Sequence, residues 1–260
     1  MLNDLRKLWK YRELLISLTL REVKVRYKQV YLGFGWAVLQ PLVLMVVFTV
    51  VFTKFAHIAT GDIPYPLFAY SALLPWSFFA ASISFAIPSL ISNTNLVTKT
   101  YFPREIIPFA TIAASLVDFL IASTIFVLMM VVYQLPLSRL FLLIPGVMLV
   151  QILFAAGLSL AGAAINVFYR DVRYIVPIGL QVWMFLSPVI YPLTAVPDHL
   201  RWVYSLNPMV GIIESFRTIL LYRQLPDVKI LAPAVVVSVL LFACAYCFFK
   251  KQEMKFADVI

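Results

Sequence analysis

Long apolar tracts alternate with short polar segments along this chain. Six tracts are long enough to cross a hydrocarbon core of about 30 Å, which takes about 20 helical residues. The predicted spans are residues 36–53, 65–92, 107–133, 140–166, 174–193 and 231–249. Prolines interrupt several of them, which membrane helices tolerate where neighbouring groups satisfy the freed backbone. The pattern predicts an all-α integral membrane protein, with six transmembrane helices in a domain of residues 33–250.

Two further apolar segments lack the length or continuity of a span. Residues 1–32 place leucines, Trp9 and Ile16 near helical spacing among lysines and arginines, which predicts an amphipathic interfacial helix. Residues 188–228 are broken by prolines and contain one helical stretch of about 20 Å, so we predict short re-entrant helices between spans 5 and 6. The alternative for residues 1–32 is a charged topogenic tail, and the alternative for residues 188–228 is an extracellular amphipathic flap. Residues 251–260 are predicted to form a tail.

The composition agrees with a bilayer environment. The chain is 63% hydrophobic and only 13% charged, with a mean hydropathy of +0.94. About half of the residues in an ordinary soluble domain are apolar, so a soluble fold could not bury this much apolar surface.

The net charge of +9 is explained by topology rather than by nucleic acid. Fifteen of the 21 basic residues fall in segments on the side of the N-terminus, and six fall on the other side. This asymmetry follows the positive-inside rule and predicts that both termini are cytoplasmic. The first 35 residues lack a short apolar core with a cleavage motif, so no signal peptide is expected.

The sequence offers little enzymatic chemistry. None of its eight glycines is followed by lysine, so a GxxxxGK[ST] nucleotide-binding loop is excluded. Cys244 and Cys247 form a lone C-x-x-C inside the last span, which is a poor metal site and predicts small packing residues. The chain is therefore expected to bind no cofactor or metal and not to be an enzyme.

A few polar and aromatic residues are candidates for gating or for lining a pathway. Asp118 is the one carboxylate deep in a predicted span, and such an acid is a functional candidate by default. Hydrogen bonding to Ser115 or Thr111 inside the bundle is the alternative. Aromatic rings along a conduit would also suit a sugar. The candidates are Asp118, Trp76, Phe79, Glu214 and Arg217.

The polar segment NTNLVTKTYFPREIIP resembles the cytoplasmic loop of the ABC-2 type permease subunits of bacterial polysaccharide exporters. REVKVRYKQVYLGFGWAVLQP, LLPWSFFAASI, INVFYRDVRYIVP, and SPVIYP followed by NPMVGIIESFR also resemble the family, in the same order, from about residue 20 to 250. Members of this family move lipid-linked O-antigen, teichoic acid or capsule across the inner membrane.

The resemblance implies that residues 93–106 contain a coupling helix that docks on a separate P-loop ATPase, which binds ATP and Mg²⁺. A solvated loop that only fixes topology is the alternative. A second charged cluster follows the fourth span and could instead pair locally. The candidate coupling residues are Asn95, Lys99, Arg104 and Glu105 in the loop and Arg170 and Asp171 in the second cluster.

The resemblance also implies a mechanism. Two copies of the chain would enclose a pathway for a glycan on a polyprenyl carrier, collected by the N-terminal helix among membrane lipids. The residues expected to contact the pyrophosphate are Arg21, Lys24, Arg26 and Lys28. The alternatives are an exporter of a drug or small lipid, a proton-coupled secondary transporter that uses Asp118, and a non-transporting scaffold or glycosyltransferase subunit. No inverted repeat supports the secondary transporter.

Overall fold

The computed structural model describes residues 9–28, 31, 33–55, 63–136 and 138–259, and within these ranges the chain is helical without β-strands. In order, the helices are α1 (Arg12–Tyr27), α2 (Gly35–Lys54), α3 (Tyr65–Ala86), α4 (Ser89–Ser92), α5 (Thr94–Lys99), α6 (Ile106–Val132), α7 (Ile144–Phe168), α8 (Val172–Phe185), α9 (Asp198–Tyr204), α10 (Pro208–Arg217), α11 (Val228–Glu253) and α12 (Phe256–Val259). A 3₁₀ turn at Arg139–Leu143 precedes α7, another lies at Leu193–Ala195, and a π turn at Thr218–Tyr222 extends α10.

Five segments in the described ranges are long and apolar enough to cross a membrane. They are α2, α3, α6, α7 with its preceding 3₁₀ turn, and α11. These segments coincide with the first, second, third, fourth and sixth predicted spans. The prediction of an all-α membrane protein is confirmed at this level.

The fifth predicted span, residues 174–193, differs from the structure. Helix α8 has 14 residues, which at 1.5 Å per residue is about 21 Å and shorter than a hydrocarbon core. The helix ends at Phe185, because Pro188 disfavours helical geometry in the residue before it. The six-span count and the re-entrant geometry therefore stay predictions.

The second predicted span ends early for a similar reason. Helix α3 stops at Ala86, and Pro88 lies in the turn before α4. Proline lacks the backbone N–H that a continuing helix needs. The chain therefore changes direction before the polar segment at residues 93–106.

Helix α1 is confirmed as a helix, but its apolar residues are not confined to one face. Leu18 and Val23 are buried in the chain, whereas Ile16, Leu20 and Val25 are more than half exposed. The helix packs against α6 through its buried residues and leaves other apolar side chains outside. A simple amphipathic pattern is therefore wrong for Arg12–Tyr27, and the part at residues 1–8 lies outside the described residues.

Helix α3 is the centre of the bundle. In its most apolar window 78% of the residues are buried, against 11–39% for the other four spanning segments. Helices α2, α6, α7 and α10 all pack on it. A second apolar cluster lies where α5, the start of α6 and the ends of α7 and α11 meet. We call this region the loop end of the bundle.

Helix α11 approaches its neighbours closely at two glycines. A Cβ atom on Gly157 would lie 3.1 Å from the backbone of Phe242 in α11. A Cβ on Gly211 in α10 would lie 2.6 Å from the carbonyl oxygen of Ile230 and 2.7 Å from the Cβ of Ala234. The contact at Gly211 requires a residue without a side chain, and a Cβ at Gly157 would be closer than an ordinary van der Waals contact, so α11 is held tightly against α7 and α10.

We expect Gly211→Ala to destabilise the protein by about 1–3 kcal/mol, the usual cost of an added group in a packed core. The obstacle is backbone, which cannot rotate away. Thermal unfolding of the purified protein in detergent measures the effect. Gly146→Ala is the matched control, because a Cβ there meets nothing within 4 Å. Equal unfolding temperatures for the two variants would contradict the packing argument.

Candidate functional site

The segment at residues 93–106 forms the short helix α5 and an extended stretch that leads into α6. Val97 is buried against the chain, whereas Asn95 and Lys99 are exposed. Tyr101 is 100% exposed. We call Asn95, Lys99 and Tyr101 the loop surface. An aromatic ring beside polar groups is suited to contact with another protein, because tyrosine is enriched in protein interfaces.

Arg104 and Glu105 are bound to the end of α11. Lys250 Nζ donates to Glu105 Oε2 at 2.7 Å and to Glu253 Oε2 at 2.9 Å, and the Tyr246 hydroxyl donates to Glu105 Oε1 at 3.2 Å. The backbone N–H of Arg104 donates to Glu253 Oε1 at 2.9 Å, and its guanidinium donates to the Glu253 carbonyl. We call these five residues the charge network.

The charge network changes the expected role of Glu105. The residue is 1% exposed, so it lies inside the chain rather than on a surface that a partner contacts. It immediately precedes α6, where the helix dipole favours a negative charge. Arg104 is also turned toward α11 and only partly exposed. Of the four residues expected in this loop, Asn95 and Lys99 alone lie on the surface.

The second charged cluster follows α7 at the loop end. Arg170 and Asp171 are exposed, and they follow Phe168, whose ring contacts that of Phe256 in α12 at a centroid distance of 6.2 Å. Arg173 bonds its neighbour, donating to the Tyr174 hydroxyl at 2.8 Å. The structure thus brings Arg170 and Asp171 to the same end of the bundle as the charge network.

Asp118 is paired with α1. Arg26 Nη1 donates to Asp118 Oδ2 at 2.8 Å, and the Tyr27 hydroxyl donates to Oδ1 at 2.6 Å. Arg26 also donates to Ser115 Oγ at 3.2 Å and to the Thr111 carbonyl at 3.0 Å. Burial, followed by the bond to Asp118 and its charge, raises the pKa of the Tyr27 hydroxyl above its ordinary value. Tyr27 therefore remains a donor at neutral pH.

Arg26 differs from the other basic residues that were expected to meet a headgroup. Its side chain is 9% exposed, and its guanidinium lies 3.9 Å from the ring centroid of Phe85. Lys24 and Lys28 are exposed, while exposed Arg21 donates to Asn93 and Glu22. Arg26 therefore anchors α1 to α6, and the other three remain accessible to an anion.

A cavity of about 490 Å³ lies between α1, α2, α3 and α6. Its lining includes the polar side chains of Arg26, Tyr27 and Asp118 and the aromatic rings of Trp76 and Phe119. Ligand cavities in proteins typically measure about 300–1,000 Å³, so the space is large enough for part of an amphiphilic molecule. Trp76 is thus near an accessible space, as a pathway residue needs to be.

Phe79 is placed differently from Trp76. Its ring stacks on Phe154 with centroids 5.1 Å apart and meets Trp183 edge-on at 5.4 Å. The side chain is fully buried between α3, α7 and α8. Phe79 therefore packs the core of a single chain and does not line the cavity.

Glu214 and Arg217 hold the segment after α8 against the bundle. Arg217 is 0% exposed and bonds Glu214 Oε1 at 3.1 Å, the Val189 carbonyl at 2.9 Å and the Tyr191 carbonyl at 3.3 Å. Its guanidinium also lies 3.7 Å from the Phe68 ring centroid in α3. The pair therefore holds the non-helical backbone after α8 in place. Glu214 and Arg217 thus have a structural role within the single chain.

Metal-binding groups are sparse in the described residues. No cluster of three or more His, Cys, Asp or Glu side chains that could hold a metal occurs among them. Cys244 and Cys247 are free and exposed on α11 rather than buried as packing residues. His57 lies outside the described residues.

Sequence reasoning missed Tyr246, Lys250 and Glu253. The segment KKQE at residues 250–253 was interpreted only as charge that sets the topology. Its basic and acidic residues, however, have charges opposite to those of Glu105 and Arg104. That complementarity was the available signal, and it is weak without knowledge of the contact.

These features define the class of protein to which the chain belongs. The chain is a multi-pass α-helical membrane protein with an exposed loop surface at one end and without a nucleotide-binding motif of its own. The family model described as ABC-2 type transporter matches residues 13–221, and the chain belongs to this family. Subunits of this kind are the membrane components of ABC transporters.

Relatives cover the chain over most or all of its length. The O-antigen export system permease protein RfbA of Myxococcus xanthus is 34% identical over 264 aligned residues, covering 100% of both chains. A protein of the same name from Klebsiella pneumoniae is 27% identical over 95% of both chains. The polysialic acid transport protein KpsM of Escherichia coli is 26% identical over 77% of this chain and 78% of its own.

Proposed function

We propose that this chain is the membrane-spanning subunit of an ATP-driven exporter that moves a polysaccharide on a polyprenyl carrier across the bacterial inner membrane. The observation that carries the proposal is full-length similarity to an O-antigen export permease. Similarity to a polysialic acid transport protein extends the substrate class to other polysaccharides. The chain supplies no nucleotide site, so a separate P-loop ATPase binds ATP and Mg²⁺.

The proposed complex contains two copies of this chain and two ATPase subunits. The ATPase docks on the loop surface, with both termini of the chain on the same, cytoplasmic side. Exposed Lys99 and fully exposed Tyr101 support this docking position, because a partner can reach both side chains. Arg170 and Asp171, exposed at the same end, extend the surface.

The carrier is proposed to approach at α1. Exposed Lys24, Lys28 and Arg21 offer cations to its pyrophosphate, and charge-assisted hydrogen bonds of this kind are strong. The apolar exposed residues of α1 suit contact with lipid. The neighbouring cavity offers polar side chains and aromatic rings to the first units of the carrier or glycan.

We expect Lys99→Glu combined with Tyr101→Ala to reduce ATPase association roughly tenfold or more, since central aromatic and charged anchors each contribute about 2 kcal/mol or more to protein interfaces. The chain is purified from its native membrane in mild detergent, and copurifying ATP hydrolysis is measured. Lys54→Glu is the control, because it reverses the charge of an exposed lysine at the C-terminal end of α2, outside the loop surface. Full association in the double variant would remove the docking position.

If no ATPase copurifies with the unchanged chain in several detergents, the exporter proposal itself is contradicted. Surface polysaccharide, measured in cells whose only copy is the double variant, provides an independent readout. It should fall with ATPase association while the amount of chain in the membrane stays constant.

A further inference from the structure

The charge network joins the loop at residues 93–106 to the end of α11. Two residues of opposite charge in the loop, Arg104 and Glu105, meet two residues of opposite charge in α11, Lys250 and Glu253. The four formal charges cancel, and every contact in the charge network joins two opposite charges or a hydrogen-bond donor and an acceptor. Glu105 is 1% exposed, so removal of Lys250 alone would leave a buried charge unpaired.

Apolar side chains beside the charge network also hold the loop and α11 together. Phe249 of α11 and Phe256 of α12 are fully buried, with ring centroids 5.3 Å apart, and Phe256 also contacts Phe168 of α7. Val97 of α5, also buried, belongs to the same cluster. The loop helix, the start of α6 and the ends of α7 and α11 therefore form one packed unit at the loop end.

Helix α11 extends this unit to the opposite end of the bundle. Ala234 lies sixteen residues before Lys250, which is about 24 Å along an α-helix. At that position α11 packs against Gly211 of α10 so closely that a Cβ would overlap with the Ile230 carbonyl. Helix α10 carries Arg217, which holds the segment at Val189 and Tyr191.

We infer that Tyr246, Lys250 and Glu253 are positioning residues for energy coupling. They fix the loop surface to α11, so that a displacement of the loop by the ATPase moves α11 together with α6. The displacement thereby reaches α10 and the segment that Arg217 holds at the other end. The inference rests on the proposed function, since it requires an ATPase docked on the loop surface.

The test uses a variant that removes the ion pair between Glu105 and Lys250 without leaving a buried charge unpaired. Glu105→Gln with Lys250→Met neutralises both partners, so no buried charge is left without its partner and the chain should still fold. Each variant replaces the chromosomal copy. Four quantities are measured: the amount of chain in the membrane, the copurifying ATPase, its ATP hydrolysis in the purified complex, and the surface polysaccharide of the cells.

We expect normal chain level, ATPase association and ATP hydrolysis, with surface polysaccharide reduced roughly tenfold, which is within the range of mutations that alter coupling between sites. The charge swap Glu105→Lys with Lys250→Glu should recover part of the export. Lys251→Met is the matched control, because Lys251 is the exposed neighbour of Lys250. It should leave all four quantities unchanged.

Two results would overturn the inference while sparing the proposed function. One is normal export by the neutral double variant. The other is a parallel loss of chain level, ATPase association and export, which marks the pair as structural. Failure of the proposed function is distinct, because the unchanged chain would then retain no ATPase at all.

Discussion

Replacing Arg217 by methionine is expected to lower the stability of the protein by about 3–5 kcal/mol, the usual cost of removing one partner of a buried ion pair. The variant leaves Glu214 without its charge partner and leaves the carbonyls of Val189 and Tyr191 without a donor. The non-helical segment after α8 should then detach from α3. Thermal unfolding in detergent and protease sensitivity near Val189 measure the two effects.

Two variants make this prediction specific. Arg223→Met removes a positive charge at an exposed position a few residues away and should cost little. Glu214→Gln combined with Arg217→Met removes the unpaired carboxylate, so it should be less destabilised than Arg217→Met alone. The difference in a double-mutant cycle is the coupling energy of the pair. If Arg217→Met unfolds like the unchanged protein, the pair does not hold this segment.

The fold was largely predictable because membrane spans are encoded by local hydropathy. Helices α2, α6 and α11 begin and end within four residues of the predicted spans, since backbone in a bilayer must satisfy its own hydrogen bonds. The predicted length differs at α8, where the apolar run continues beyond Phe185 but the helix ends at that residue. Hydropathy cannot detect that break, whereas Pro188 could have indicated it.

Helix α1 shows a different limit of periodicity. Spacing predicted a helix correctly, but it could not predict that Leu18 and Val23 would pack on α6 while Leu20 and Val25 remain outside. The direction of a helix face depends on its neighbours. Those neighbours are set by contacts such as Arg26 with Asp118, which the local pattern does not contain.

The candidate site was predictable in position but not in detail. The polar run at residues 93–106 was evident, since it interrupts apolar sequence. Its division into an exposed part at Lys99 and a buried part at Glu105 depends on Lys250, which follows Glu105 by 145 residues. Sequence reasoning considered only local partners, and the same limit concealed Arg26 as the partner of Asp118, 92 residues away.

Asp118→Asn is the second variant with a large expected effect, because it leaves the Arg26 guanidinium buried without a charge partner. We expect a loss of about 3 kcal/mol in stability and release of α1 from α6. Tyr27 also exchanges a carboxylate acceptor for an amide. Thermal unfolding measures the stability, and protease cleavage between α1 and α2 measures the release of α1.

The double variant Arg26→Met with Asp118→Leu separates this structural role from proton transport. Apolar side chains of similar size can replace a buried ion pair at little cost, so stability should return close to that of the unchanged protein. A proton carrier at Asp118 would be lost in both variants, and transport would not recover in either. Recovery of surface polysaccharide with recovery of stability excludes proton coupling through Asp118 and leaves the ion pair as the attachment of α1. Recovery of stability without export would instead be the result expected for a proton carrier at Asp118 or for direct contact of Arg26 with the substrate, since both residues line the cavity beside Trp76.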